Sequence, residues 1–292
     1  MAVLLKGLPV AKALTQELCG RARSLEERGI TPTLAIVRVG EREDDLTYER
    51  AALKRCAAVG IRTKSFVLEA DCIQGELLDV ITQVNANPSI HGCLMFRPLP
   101  KHLDEEAACA ALDTAKDVDC STAASLYGVF ANQPVGFPPC TAEACIALLD
   151  HYGIALDGAD VVVVGRSLVI GRPVAAMLMA RNATVTVCHT HTRDLSRRAR
   201  EADVLVVAAG HAGVLGDDAV RPGQVVLDVG INWDERAQRL CGDVVFEKVE
   251  PIVDAITPVP GGVGSVTTAI LAKHVIEAAE RLCAGDEEAD DA

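Results

Sequence analysis

The run Val161-Val162-Val163-Val164, followed at once by Gly165, constrains this chain more than any other stretch. Four β-branched residues in succession leave no polar alternation. They read as a strand buried on both faces, as in a parallel sheet covered by helices. Gly165-Arg166-Ser167 then turns the chain, and Gly171 opens an amphipathic segment over residues 173–181. Strand, tight turn and helix in that order aim backbone N–H groups and a helix N-terminus at one point, where a phosphate can be held. Gly165 and Gly171 stand six apart, so the turn lacks the usual G-x-G-x-x-G spacing, and no G-K-[ST] follows to make a triphosphate loop. Alone, the turn can also be read as an ordinary βα connection. Three more β-rich runs follow, at 183–188, 203–208 and 224–229, and helical segments separate the first members of the series. Together they predict a βαβαβ dinucleotide fold.

A chain of 292 residues suits two domains. Half the residues are hydrophobic but only 3% are aromatic, so the core must be built from Ala, Val, Leu and Ile. No apolar run approaches the roughly 20 residues that span a bilayer. Residues 1–10 carry one lysine and lead into a helix rather than forming a secretory leader. A cytoplasmic protein is expected. The net charge of −13 gives it no reason to bind nucleic acid or an anionic membrane. Residues 284–292 read as an acidic disordered tail. The eleven cysteines form no C-x-x-C, which points to reduced, mostly buried thiols and no metal site.

Earlier in the chain, apolar spacing predicts helices over 9–28, 45–59, 73–85 and 105–111, with strands over 33–39, 61–69 and 90–96. Residues 114–139 read as a long connection. Thr141 is expected to cap a bridging helix over 141–152, and a final helix over 267–282 should pack back on the first domain.

Several motifs now resemble one family. Gly165-Arg166-Ser167 with Gly171-Arg172-Pro173, Thr184-Val185-Thr186-Val187-Cys188-His189, Asp228-Val229-Gly230-Ile231-Asn232 and Thr257-Pro258-Val259-Pro260-Gly261-Gly262-Val263-Gly264 match its second half. Lys116-Asp117-Val118-Asp119 and Pro139-Cys140-Thr141 match its first half. In order and spacing they resemble the bifunctional methylenetetrahydrofolate dehydrogenase/methenyltetrahydrofolate cyclohydrolases. The resemblance implies an α/β fold of two α/β domains with a cleft between them, the C-terminal one a Rossmann-type parallel sheet. Residues 1–140, completed by the helix 267–283, would form the folate-binding domain and 141–266 the NAD(P)-binding domain. It further implies a homodimer and a tetrahydrofolate-type substrate. Carried over position by position, the cofactor-binding residues are Gly165, Arg166, Ser167, Thr190 and Ile231. Tyr48 and Asp119 fall on catalytic positions and, with Pro260, Gly261 and Gly262, on substrate-binding ones. An acid at the end of the second strand would favour NAD. Here stand His189, Thr190, His191, Thr192 and Arg193, with Arg166 able to reach the same region. That favours NADP and leaves NAD open, and it competes with reading His189 and His191 as exposed loop histidines.

The chain departs from the pattern where water chemistry is done. The family's Y-x-x-x-K places a lysine four residues after Tyr48, and here that residue is Ala52. Lys54 lies about 200° around the helix from it and is no substitute. Phe96 stands in place of the glutamine that works with that lysine, Asp45 in place of a serine, Cys120 in place of the glycine of KDVDG, and Ser265 in place of a proline. Hydride transfer needs alignment of two bound rings, whereas hydrolysis needs positioned proton transfer. The cyclohydrolase is therefore expected to suffer most. Three readings stand open at this point: a dehydrogenase with weak or lost cyclohydrolase, a divergent paralogue with another substrate, and a non-catalytic folate- or nucleotide-binding protein.

Overall fold

In the computed structural model, residues 1–235 and 237–290 are described, with side chains to residue 282. In chain order the elements are β1 (Val3–Leu4), α1 (Gly7–Glu27), β2 (Thr33–Val39), α2 (Glu43–Val59), β3 (Arg62–Leu68), α3 (Gln74–Ala86), β4 (Gly92–Met95), α4 (Glu105–Ala111), α5 (Ala123–Ala131), α6 (Cys140–His151) and β5 (Asp160–Val164). There follow α7 (Gly171–Met179), β6 (Thr184–Cys188), α8 (Leu195–Glu201), β7 (Val204–Val207), β8 (Val225–Asp228), β9 (Asn232–Asp234), β10 (Arg239–Cys241), α9 (Phe246–Val249), β11 (Ala255–Ile256) and α10 (Gly264–Asp290). Two compact units result. One comprises Ala13–Cys140 with the chain from Thr268 onward, the other Met1–Lys12 with Thr141–Thr267.

The first unit holds a parallel sheet in the order β3-β2-β4. Every residue of β2 is buried, which is why its sequence TLAIVRV shows no clean polar alternation. Its one charge, Arg38, meets the buried Glu49 of α2 at 2.9 Å, and Ser65 of β3 donates to the same carboxylate. A buried charge without such a partner would cost several kcal/mol. The sheet packs Ala35, Val37 and Val39 against Leu77, Ile81 and Val84 of α3.

Residues 114–139 are not a plain connection. They contain a short 3-10 turn, Thr114–Lys116, and the helix α5. Thr122 starts α5 by accepting the Ser125 N–H, and Asn132 ends it in the left-handed conformation (φ 50°). Nine residues in a Gly- and Pro-bearing stretch gave too little periodicity to reveal it.

The second unit holds a six-stranded parallel sheet ordered β1-β11-β8-β7-β5-β6. Val161 to Val164 are all at most 4% exposed, so the four-valine strand is buried on both faces. Each of these side chains contributes roughly 1.5–3 kcal/mol by burial. β5 pairs with β6 on one side and β7 on the other, so the strand order reverses at β5. Ligands of doubly wound sheets bind outside the carboxyl ends of the strands at such a switch point.

Three boundaries differ from expectation. Residues 1–12 join the second unit rather than the first, because β1 pairs with β11 at the sheet edge. The final helix starts at Gly264 instead of 267 and continues to Asp290, so backbone expected as a tail from 284 is helical to 290. The expected acidic tail otherwise falls outside the described residues. Among the described residues, no helix is long and apolar enough to cross a membrane.

Candidate active site

The turn after β5 is built around two glycines that admit no side chain. Gly165 has φ +127°, and a Cβ there would lie 2.1 Å from the Ala208 carbonyl oxygen. A Cβ on Gly171 would lie 2.3 Å from the Gly165 oxygen. Ser167 closes the turn: its Oγ accepts the N–H groups of Ile170 (3.1 Å) and Gly171 (3.4 Å), and its carbonyl accepts that of Arg172 (3.0 Å). The N–H groups of Ile170, Gly171 and Arg172 are thus taken up by Ser167 at the start of α7. Arg166 and Ser167 are both exposed on the turn.

Gly165 N–H donates to the Cys188 carbonyl at the end of β6, which brings Arg166 beside the 189–193 loop. Thr190 is exposed on that loop. The His189 and His191 rings stand edge to face at 5.9 Å. Desolvation, the Arg166 charge and His191 together push His189 below the usual imidazole range. The first acid after β6, Asp194, is turned to the N-terminus of α8, where it accepts the Arg197 N–H.

Beyond β8 and β11 opens a cavity of about 250 Å³, lined by Asp228 to Ile231, Leu240 and the 258–265 turn. It brings Ile231, 63% exposed, together with Pro260, Gly261 and Gly262. Gly165, Arg166, Ser167 and Thr190 do not line it. Two buried acids to which sequence reasoning gave no role meet here: Asp228 lines the cavity, and Asp243 donates its N–H to Asp228. Asp228 accepts the N–H groups of Asp243 and Val244, and burial pushes its carboxyl up to about 7. Asp243 accepts those of Ala209 and Gly210 and the Asn232 side-chain amide. Gly230 and Gly242 lie so close to these carboxylates that neither tolerates a Cβ. Their signal was the pair of acids flanking glycines in Asp228-Val229-Gly230 and Gly242-Asp243.

In the first unit, Tyr48, Ala52 and Cys56 follow one another at one-turn intervals along α2. Ala52 and Cys56 are buried; Lys54 is exposed on another face. The Tyr48 ring meets Phe96 edge to face, with centroids 6.0 Å apart and planes at 83°. Phe96 is itself 8% exposed, so the family's lysine and glutamine positions form an apolar wall. Burial, with Cys140, Asp119 and Cys56 nearby, holds the Tyr48 hydroxyl well above the usual phenol range. Burial also pushes the Cys56 thiol up to about 12. Asp45 is neutralised by Arg42 at 2.6 and 2.8 Å, and Arg42 also donates to the Arg97 carbonyl, tying the start of α2 to the loop after β4. Arg42 had a legible signal, the i,i+3 spacing to Asp45, that sequence reasoning passed over.

Asp119 is presented by its neighbours. Lys116 donates from Nζ to the Val84, Asn85 and Asn87 carbonyls at the end of α3. Asp117 accepts from Ser121 N–H, Thr122 N–H and the Ser125 hydroxyl at the start of α5. Asp119 Oδ1 then accepts the Cys140 N–H at 2.9 Å. It is thus Asp119, not Thr141, that serves the first turn of the bridging helix, which begins at Cys140. Burial raises the Asp119 carboxyl, and the Cys140 donor, His274 and Arg97 oppose that rise. Cys120 takes a left-handed φ of +57° where the family has glycine, and burial pushes its thiol up to about 12.

Comparison with known proteins matches both units. Residues 5–119 fit the tetrahydrofolate dehydrogenase/cyclohydrolase catalytic domain, and residues 139–283 fit the NAD(P)-binding domain of the same name. The bifunctional protein FolD of Carboxydothermus hydrogenoformans is 51% identical over 283 residues, 97% of this chain and 99% of that protein. The FolD of Clostridioides difficile is 49% identical over 94% of this chain and 96% of its own. Among solved structures, the FolD dehydrogenase/cyclohydrolase of Campylobacter jejuni superposes with a TM-score of 0.93 at 37% identity, covering 96% of this chain and 99% of that one. The Trypanosoma brucei enzyme, solved with NADP and an inhibitor, gives 0.90 at 36%, covering 96% and 98%. With both halves matched across almost its whole length, the chain belongs to the tetrahydrofolate dehydrogenase/cyclohydrolase family.

Proposed function

We propose that this protein oxidises 5,10-methylenetetrahydrofolate to 5,10-methenyltetrahydrofolate with NADP, and that its hydrolysis of the methenyl bridge is weak or lost. The observation that carries the reading is a contrast. The Gly165 turn of the second unit is intact, whereas the first unit has an apolar wall at Ala52 and Phe96. NADP, when bound, supplies the acceptor for the hydride that leaves the one-carbon bridge. The glycine cradle and exposed Arg166 suit a dinucleotide. The turn around Gly165 would hold the pyrophosphate, with the Ser167 hydroxyl as a donor; Arg166 and Thr190 would hold the 2′-phosphate, and Ile231 would pack on a ring. Asp119 would accept pterin N–H groups and Tyr48 would position the folate; Pro260, Gly261 and Gly262 are the substrate-binding positions that the family resemblance adds.

Oxidation is driven by the substrate nitrogen's lone pair, so these residues need only align and dry the reacting groups. Hydrolysis must deprotonate water. On the α2 face, Tyr48 is held neutral, Cys56 titrates near 12 and Ala52 has no proton to move. None of the three accepts a proton near neutral pH. The reading also takes the protein as a homodimer, as the family resemblance implies, and as cytoplasmic, with NAD a poorer alternative cofactor.

Mixing the protein with methylenetetrahydrofolate and NADP should reduce the nicotinamide while methenyl absorbance accumulates without decay. Absence of reduction with either NADP or NAD, despite measurable cofactor binding, would overturn the proposal in favour of another substrate. Arg166→Ala should remove a charge-assisted contact of about 1.5–3 kcal/mol, raising KM for NADP roughly ten- to a hundredfold. KM for NAD should stay within about threefold; equal losses for both cofactors would remove Arg166 from the 2′-phosphate site.

A further inference from the structure

His274 lies on α10 within the apolar stretch Ala269-Ile270-Leu271-Ala272-Lys273-His274-Val275-Ile276 and is fully buried. An imidazole is costly there unless its polar atoms are used. Its Nδ1 lies 2.8 Å from the Val118 carbonyl oxygen, which can only accept, so Nδ1 carries the hydrogen. The Cys140 thiol donates to the same carbonyl at 3.4 Å and lies 3.7 Å from Nδ1. The far side of the ring is packed by Phe137, with centroids 4.9 Å apart, and Phe137 is in turn covered by the Arg281 guanidinium at 4.1 Å. The imidazole is therefore fixed in one orientation.

Val118 is the residue immediately before Asp119. Its side chain fills the gap left by Gly92 of β4, where a Cβ would lie 2.6 Å from Val118 Cγ1 and 3.2 Å from Val275 Cγ2 of α10. The backbone at Asp117 bridges Cys93 of β4. The peptide leading into Asp119 is thus clamped on one side by the sheet and on the other by the His274 imidazole, while the carboxylate beyond it meets the first N–H of α6. Without the imidazole, the Val118 carbonyl keeps only the weak thiol donor, and the Val118–Asp119 peptide loses its clamp on that side.

We infer that His274 is a positioning residue for Asp119, acting through the Val118 carbonyl to aim the carboxylate at the pterin. This rests on the proposed role of Asp119 in holding the folate. Nothing about the second unit's cofactor residues depends on it.

The test uses the full-length protein and the variants His274→Leu and His274→Asn. Asparagine keeps an N–H donor at the reach of Nδ1; leucine keeps the bulk and removes the donor. Tetrahydrofolate binding is followed by calorimetry and NADP binding by its own titration, alongside KM and kcat for oxidation. His274→Leu is expected to weaken tetrahydrofolate binding and raise the methylenetetrahydrofolate KM at least tenfold. The NADP dissociation constant should stay within twofold, and His274→Asn should recover folate binding to within about threefold of wild type. A wild-type folate affinity in His274→Leu, or parallel losses for folate and NADP, would overturn the inference while leaving the proposed function standing. Should the leucine variant fail to fold, His274→Asn decides: a tenfold folate loss in that folded variant would overturn the inference, and retained affinity supports it. A wild-type protein that neither binds nor oxidises the folate would overturn the proposed function, and this inference with it.

Discussion

Placing lysine at 52 and glutamine at 96 together is expected to create cyclohydrolase activity, speeding decay of the methenyl product by roughly a hundredfold or more, the usual contribution of a positioned acid–base group. Ala52 is wholly buried one turn after Tyr48, and the Phe96 ring occupies the space beside Tyr48. Ala52→Lys alone must push an ammonium into a filled apolar wall. Overpacking costs about 1–3 kcal/mol, and an unpaired buried charge adds more. Phe96→Gln alone removes an aromatic ring and leaves an amide facing apolar neighbours, a loss of roughly 1–3 kcal/mol. In the double variant the vacated volume admits the lysine stem, and the glutamine oxygen accepts from the ammonium. Desolvation then lowers the lysine pKa toward the working pH. The two changes should accordingly be non-additive: each single variant melts lower and gains no hydrolysis, while the double variant recovers stability and gains the reaction. Additive melting losses, with methenyl still accumulating, would show that the first unit's site has diverged beyond these two positions.

Legibility in the sequence followed the range of the interactions. The strand Thr33–Val39 and helix Glu105–Ala111 coincide with the residues expected for them, because burial pattern and capping are local signals. The four-valine strand and the Gly165 turn were readable for the same reason. Pairing between β1 and β11 joins residues some 250 positions apart through two-residue strands, so the assignment of residues 1–12 to the second unit left no local trace. The substitutions at Ala52 and Phe96 stood out against a family pattern, but their consequence did not. That Phe96 closes on Tyr48, and that Cys56 and Tyr48 are both driven out of the useful titration range, are facts of burial. Asp119 was found by motif. Its support by Lys116, Asp117 and Cys140 required three contacts of mixed range, and His274 reaches Val118 across 156 positions.

Gly165→Ala should be the most damaging single substitution in the second unit, lowering stability by roughly 3–5 kcal/mol and NADP-dependent oxidation more than a hundredfold. Two costs act at once. A φ of +127° belongs to backbone space that alanine enters only with about 1–3 kcal/mol of strain. The new methyl would also sit 2.1 Å from the Ala208 carbonyl oxygen, a contact that only movement can relieve. Movement is blocked where the contact falls. Val164 pairs with Val207, and the Ala208 N–H donates to the Val164 carbonyl at 2.7 Å, in the middle of the sheet. Separating β5 from β7 there would break that bond and open the packing of Val162, Val164 and Val207. Relief through the turn instead would pull Ser167 from the start of α7 and displace Arg166 from its corner beside His189. Gly158→Ala supplies the control. Its φ is +76°, and a Cβ there meets nothing within 4 Å, so it pays the strain without the clash. Calorimetry and NADP titration of the two variants separate the effects. Gly158→Ala should lose about 1 kcal/mol with NADP affinity unchanged. Equal losses in the two variants would mean that backbone strain, and not the approach of Gly165 to β7, governs the turn.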